Sequence, residues 1–113
     1  MFVIVAKYLI PKGYRGLTLF PFVFVKYVFD SKNQTLVNHE KIHIKQQLEL
    51  LVLPFFVWYF VEYAVRLLQY KNADLAYRNI SFEREAYANE INLSYLETRK
   101  YFSFLKYLHA KIN

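Results

Sequence analysis

Asn38-His39-Glu40-Lys41-Ile42-His43-Ile44-Lys45-Gln46-Gln47 is the most chemically informative stretch of this 113-residue chain. It contains the pattern HExxH, and on a helix His39 and His43 lie one turn apart on the same face. Two imidazoles at that spacing can bind one zinc ion, and Glu40 is placed to act on water as a general base. The competing interpretation is a helix that carries two surface histidines.

Length and composition restrict the possible classes. The length predicts a single domain that spans residues 1–113. Cysteine is absent, so a metal would be bound by histidine and carboxylate groups. Fifteen Lys and Arg against nine Asp and Glu give a formal charge of +6. We find no helix-turn-helix, zinc-finger or RNP signature and expect no nucleic-acid partner. An anionic membrane surface and a solvated basic face both remain open as explanations of the charge.

The N-terminal third predicts β-structure. Residues 1–10 are mostly apolar and β-branched, which favours a buried strand, and residues 11–16 read as a loop. A second strand is predicted over residues 17–29. Pro21 cannot donate a ladder hydrogen bond, so it indicates an edge strand or a bulge there.

The HExxH helix is predicted over residues 36–53, with Ser31 or Thr35 as its N-cap. Its apolar residues recur at helical spacing and are expected to pack in the core: Val37, Ile44, Leu48 and Leu51. The histidines would then lie on the polar side, with Gln46 and Gln47 either orienting a ligand or serving as ordinary surface residues. Pro54 is expected to end or kink this helix.

A second helix, over residues 55–70, is unusually apolar. Residues 50–61 contain no polar group apart from aromatic hydroxyl and indole groups, and only Glu62 and Arg66 are charged up to residue 68. A buried core helix, an interfacial helix and a membrane span all remain open. We therefore expect a cytoplasmic protein or one associated peripherally with the inner membrane.

Three further elements complete the predicted fold. Asn72 is expected to cap a short turn over residues 73–77, and Ser81 to cap a helix over residues 82–96. Residues 98–111 predict an amphipathic C-terminal helix. Together these elements predict an α+β fold, mainly helical, with a small N-terminal hairpin or sheet packed on the HExxH helix.

A catalytic zinc site needs a third protein ligand. The candidates are His109, Asp74, Glu83, Glu85 and Glu90. Glu83 and Glu85 are about 200° apart on a regular helix, so they cannot both face one metal. Glu85 shares its face with polar residues and is expected to be solvated, which favours Glu83. Donors for a developing oxyanion would come from Tyr77, Arg78 or Tyr87.

The spacing of His39-Glu40-Lys41-Ile42-His43-Ile44-Lys45-Gln46 and Glu83-Arg84-Glu85-Ala86-Tyr87 resembles gluzincin-like zinc metallopeptidases. It is similar to the HtpX-like and CAAX-prenyl-protease-like peptidases and to small bacterial HExxH proteins that carry E-x-E-A. The resemblance implies a minimal zincin-like domain with His39, His43 and Glu83 as zinc ligands and Glu40 as catalytic base. Tyr87 departs from this pattern, because those peptidases usually place a second-shell Asp there.

Three functions follow from these observations. The first is a minimal zinc metallopeptidase, free or membrane-associated, that hydrolyses a peptide or protein substrate. The second is a zinc-binding structural or interaction protein of the same fold without peptidase activity. The third is a small basic membrane-associated protein in which HExxH is accidental. Metal content separates the third from the others.

Overall fold

The computed structural model describes residues 2–12 and 14–108, with the side chain of Phe29 excepted. Three strands come first: β1 (Phe2–Val5), β2 (Gly16–Leu19) and β3 (Phe22–Val25). A 3-10 turn (Val28–Lys32) leads into the helices α1 (Gln34–Glu49), α2 (Leu53–Tyr70), α3 (Ala73–Arg78), α4 (Ser81–Asn89) and α5 (Tyr95–Thr98), and a second 3-10 turn (Ser103–Tyr107) follows. The predicted α+β, mainly helical class is confirmed.

The three strands form one sheet in the order β1-β3-β2. β1 runs parallel to β3, and β2 pairs antiparallel with β3 so that Thr18 lies opposite Val23. Val23 and Val25 are fully buried and pack against two residues of the HExxH helix, Ile44 and, in its first turn, Leu36. A small N-terminal sheet therefore packs on α1, as predicted.

The strand boundaries differ from the prediction. Residues 17–29 form a hairpin with two short strands, and Pro21 lies in the turn between them. A turn suits proline because its missing N–H is not needed by a ladder there. The prediction of a buried first strand is also wrong. All four residues of β1 are exposed, because β1 lies at the edge of the sheet and α1 does not cover it.

Helix α1 begins after Asn33, whose side-chain oxygen accepts a hydrogen bond from the Leu36 N–H at 3.1 Å. Neither predicted cap is used. Ser31 lies in the preceding 3-10 turn, where its hydroxyl donates to the Val28 carbonyl, and Thr35 is already inside the helix. The helix ends at Glu49, four residues before the predicted end.

The buried side of α1 is its polar side. Eight of its residues are buried, and six of these are polar: Asn38, His39, Glu40, His43, Gln46 and Gln47. Of the predicted apolar stripe only Ile44 is buried, whereas Leu48 and Leu51 are 43% and 78% exposed. The stripe prediction is therefore wrong. Buried polar groups are tolerated only when they are hydrogen-bonded, and β2 and α4 supply the partners.

A sharp break separates α1 from α2, whose axes differ by 112°. Leu51 and Val52 turn the chain with φ of 60° and 58°. Pro54 does not kink α1 but lies in the first turn of α2, where proline lacks no hydrogen bond. Only Phe55 and Glu62 of α2 are buried, so the buried core helix, one of the three alternatives left open by the sequence, does not fit. Within the described chain no helix alone has the length and apolar character of a membrane span, and α1 with α2 meets that standard only as a bent pair.

The C-terminal elements differ in extent from the prediction. Asn72 caps α3 as expected, by accepting from the Leu75 N–H at 3.0 Å. Ser81 is the first residue of α4 and not its cap; the buried Glu62 carboxylate accepts from both its N–H and its hydroxyl. The predicted helix over residues 82–96 ends at Asn89, and residues 98–111 do not form one helix. Residues 109–111 of that prediction lie outside the described part of the chain.

Candidate metal centre

Helices α1 and α4 bring three potential ligand atoms together. The Oε1 atom of Glu83 lies 3.1 Å from Nε2 of His39 and 3.1 Å from Nε2 of His43. The two Nε2 atoms are 3.2 Å apart. All three side chains are buried. Among the described residues, this is the group of histidine and carboxylate side chains whose ligand atoms lie close enough together to bind one metal ion. The three ligands predicted from the sequence are thus neighbours in space.

This triangle fits a zinc ion. Zinc–nitrogen distances of about 2.0–2.1 Å place the ligand atoms of a tetrahedral site about 3.3 Å apart. The observed separations of 3.1 and 3.2 Å approach this value. A triangle of three protein atoms also leaves a fourth position, which is the composition of a catalytic rather than a structural zinc site. The donor set of two imidazoles and one carboxylate suits zinc without any thiolate.

The far side of each imidazole ring is held by a second residue. Nδ1 of His39 lies 3.0 Å from Oε1 of Glu90, and Nδ1 of His43 lies 2.7 Å from Oε1 of Gln46. Both acceptors are oxygens, so each Nδ1 donates its hydrogen, and Nε2 is the ring atom that a metal would take once it has lost its own proton. Partners of this kind fix the tautomer and the ring orientation of metal ligands.

Glu83 is oriented in the same way. The Tyr59 hydroxyl donates to its Oε2 atom at 2.8 Å, which leaves Oε1 for the two histidines. Burial alone would raise the pKa of Glu83, but the adjacent charge of His43 and the hydrogen bonds from both histidines hold this pKa well below its usual range. Burial lowers the pKa of His43, yet the charge and hydrogen bond of Glu83, the charge of Glu40 and the hydrogen bond to Gln46 together outweigh burial and raise the pKa to about 9. The centre therefore already stabilises a positive charge beside Glu83.

Glu40 follows His39 on α1 and faces strand β2. The Thr18 hydroxyl donates to its Oε2 atom. Its Oε1 atom approaches Gly16 so closely that a Cβ at residue 16 would lie 2.7 Å from it. Gln47 fastens β2 to the helix, because it donates to the Thr18 carbonyl at 2.8 Å and accepts from the Phe20 N–H at 2.7 Å. The position of the Glu40 carboxylate is thus set by a strand, and only glycine at residue 16 permits it.

A cavity of about 190 Å³ adjoins these side chains. Glu40, His43 and Glu83 line its polar end, and the apolar side chains of Leu17 and Phe60 line it as well. Both are exposed, so the cavity opens between β2 and α2. A volume of this size admits several water molecules and part of a substrate, since one water takes about 30 Å³.

The other candidate ligands lie elsewhere. Glu90 contacts the far side of His39, and Asp74 pairs with Arg78 on the surface at 3.1 Å. The prediction that Glu85 is solvated is wrong: it is fully buried and forms hydrogen bonds with Arg99, Tyr95 and Gln46. His109 lies outside the described residues.

Of the predicted oxyanion donors, the structure places Tyr77 alone against the cavity. Tyr77 lines it beside Glu83, and burial together with that carboxylate raises the pKa of Tyr77. Its hydroxyl therefore stays protonated and can donate. Arg78 is turned to the surface, and the Tyr87 ring packs on His39 with its hydroxyl directed to that of Tyr77 at 3.4 Å.

Three supporting residues were not identified from the sequence: Tyr59, Thr18 and Asn38. The Asn38 amide donates to the carbonyls of Glu90 and Asn92 at 2.8 and 3.0 Å, which ties the end of α4 to α1. Asn38 directly precedes HExxH, and its position there was the only feature of the sequence that could have indicated a supporting role for one of the three. Tyr59 is one of 11 tyrosines and Thr18 lies in a short strand, so neither stands out in the sequence.

Comparison of the chain with protein-family models, with curated proteins and with solved structures finds no significant match.

Proposed function

We propose that this protein is a zinc-binding metallohydrolase that cleaves peptide bonds. The observation that carries the proposal is the triangle of His39 Nε2, His43 Nε2 and Glu83 Oε1, with separations of 3.1 to 3.2 Å and a fixed tautomer at both rings. When bound, zinc supplies a Lewis acid that lowers the pKa of water towards about 7 and polarises a carbonyl oxygen. The protein's own residues supply the remaining chemistry.

Glu40 would act as the general base. Its carboxylate lies at the cavity with His43 and Glu83, where a water proton can be taken up and later delivered to the leaving amine. Thr18 holds this carboxylate in place and limits its rotation. Tyr77 would donate a hydrogen bond to the developing oxyanion, a contribution of roughly 3 kcal/mol for donors in comparable sites.

The peptide substrate would lie along strand β2. Among the described strands β2 pairs with β3 alone. Gln47 already bonds the Thr18 carbonyl and the Phe20 N–H, so an added strand would use the backbone around Gly16, beside the cavity. An extended peptide can add to such an edge by main-chain hydrogen bonds. This arrangement would place the scissile carbonyl near the polar end of the cavity.

A second candidate function is zinc binding without catalysis. The observation in its favour is that Thr18 and the close approach of Gly16 already confine the Glu40 carboxylate. In that case the metal would fasten α1 to α4, and the exposed faces of the protein would bind partners. The two candidates share the metal centre and differ only in hydrolysis.

Metal content tests both candidates. Protein purified without added metal is expected to contain about one zinc per chain, because two buried imidazoles and a carboxylate converge on one point. The His43→Ala variant should lose it, whereas Lys45→Ala, an exposed change on the same helix, should keep it. Elemental analysis of the three proteins is the measurement. Absence of any stoichiometric transition metal from the wild type would refute the proposal.

A second prediction concerns Gly16. In Gly16→Ala the new Cβ would lie 2.7 Å from Oε1 of Glu40 and would displace that carboxylate. We expect hydrolysis of a denatured protein substrate to fall by roughly 10- to 100-fold with zinc content unchanged, since only the base is moved. Lys45→Ala, an exposed change on α1, is the control. Equal activity in Gly16→Ala and wild type would show that Glu40 does not act from this position.

A third prediction concerns pH. With a pKa of about 9, His43 carries a proton in the metal-free protein at pH 7, and that proton must leave before Nε2 can bind zinc. Zinc binding should therefore release about one proton per chain at pH 7, and affinity should rise roughly tenfold per pH unit between pH 7 and 8.5. Calorimetry in buffers of different ionisation enthalpy measures the release. A value near zero would contradict the raised pKa.

A further inference from the structure

The outer side of α2 is apolar over most of its length. From residue 53 to residue 68 every exposed position is apolar, including Leu53, Val57, Val61, Val65 and Leu68, and the exposed polar Gln69 follows in the last turn. The charged residues of this helix, Glu62 and Arg66, lie on the inner side, with side chains 8% and 12% exposed. An 18-residue helix is about 27 Å long. The outer face is therefore a continuous apolar surface, whereas an ordinary protein surface carries single, scattered apolar residues.

The sheet presents a second apolar surface. Its register places Phe2, Ile4, Leu17, Leu19, Phe22 and Phe24 on the side opposite α1. Five of these are exposed, and the ring centroids of Phe2 and Phe22 are 5.8 Å apart. Leu17 of this sheet face and Phe60 of α2 line the same cavity, so the two apolar surfaces meet at its opening.

The charge at the protein surface is strongly positive. Five of the nine acidic residues are buried: Asp30, Glu40, Glu62, Glu83 and Glu85. Lys7 and Lys26 follow β1 and β3 at one end of the sheet, close to Arg15, which precedes β2 and pairs with Asp30 at 2.6 Å. Lys71 follows the last residue of α2 and is exposed. Basic groups therefore border both apolar surfaces, which is the composition that binds anionic lipid headgroups.

We propose that the outer faces of α2 and of the sheet form one membrane-binding surface that rests on an anionic bilayer. The apolar side chains would enter the interface, and the bordering lysines would contact headgroup phosphates. The opening of the cavity, which lies between these faces, would then lie against the bilayer. This interaction requires neither zinc nor hydrolysis and stands independently of the proposed function.

Flotation of the full chain with vesicles tests this inference. Wild type should float with vesicles that contain phosphatidylglycerol and bind pure phosphatidylcholine vesicles more weakly. In Val57→Glu/Val61→Glu, both positions being 59% exposed, binding should fall roughly 100-fold, because two apolar contacts are lost and two like charges face the anionic surface. The matched control Ile91→Glu/Leu93→Glu alters two exposed apolar residues outside both faces and should bind nearly as wild type.

Sedimentation velocity and circular dichroism of the same proteins complete the test. If the double variant does not fold, Leu68→Glu, at a position 80% exposed, replaces it and should also weaken vesicle binding. A wild type that never floats overturns the inference. So does a wild-type dimer that ignores vesicles and dissociates in Val57→Glu/Val61→Glu, because the α2 face would then join two copies of the chain.

Discussion

Replacing Glu40 with glutamine is expected to leave zinc binding intact and to lower kcat for peptide hydrolysis by about 1,000-fold. Glu40 lies next to His39 in sequence, but its carboxylate points to Thr18 and Gly16 and takes no part in the triangle of ligand atoms. Glutamine keeps the size of the side chain and its contact with Thr18 while removing the basic oxygen. Elemental analysis and cleavage of a denatured protein substrate measure the two effects separately.

Each alternative outcome has a distinct meaning. Loss of zinc in Glu40→Gln would make Glu40 a metal ligand and contradict the geometry described above. Cleavage that persists at the wild-type rate would identify a contaminating protease or a different base. If wild type and Glu40→Gln both bind zinc and neither cleaves peptides, the non-catalytic zinc protein is the correct alternative.

Local sequence patterns predicted the parts of this structure that depend on neighbours in the chain. The i,i+4 spacing of His39 and His43 placed both rings on one face of α1, and the structure shows them 3.2 Å apart. The helix phase of residues 83–90 favoured Glu83 over Glu85, and Glu83 lies at the triangle. The β-branched N-terminal segments predicted a small sheet on the HExxH helix. Each of these conclusions needs only the periodicity of one element.

The errors arose where distant residues decide the outcome. Polar residues were assigned to solvent, yet Gln46 is fully buried because Phe82 and Glu85, 36 and 39 residues away, accept its hydrogen bonds. The exposure of α2 could not be predicted either, since apolar composition indicates burial without naming the surface that covers it. Around His39 the ring of Tyr87 packs on one side, and Glu90, three residues later in the chain, contacts Nδ1.

Glu85 belongs to a second buried network, which is linked to the metal centre through Gln46. Its carboxylate accepts hydrogen bonds from Arg99, whose side chain is only 4% exposed and also pairs with Glu49 at 2.7 Å. Tyr95 donates to the same carboxylate at 2.6 Å. The network fastens the C-terminal segment to α1 and α4. A buried arginine that loses one of its partners costs several kcal/mol, because its charge is then poorly compensated.

Glu83→Ala and Glu85→Ala should therefore lose different properties, zinc affinity in the first and stability in the second. Glu83→Ala removes one of three ligand atoms, and we expect zinc affinity to fall by at least about 100-fold. Glu85→Ala should lower the free energy of unfolding by about 3 kcal/mol through Arg99, while the folded protein keeps zinc affinity within about tenfold of wild type. The remaining loss in Glu85→Ala would act through Gln46, which contacts both Glu85 and His43.

Competition with a chelator measures the affinities, and urea unfolding of the metal-free proteins measures the stabilities. The two measurements together exclude a trivial explanation, since a variant that merely unfolds loses both properties. If Glu85→Ala releases zinc from a folded protein and Glu83→Ala does not, the third ligand has been assigned to the wrong carboxylate. If both folded variants retain wild-type affinity, the triangle does not bind the metal through Glu83, and the structure of α4 around residues 83–90 would need a different functional explanation.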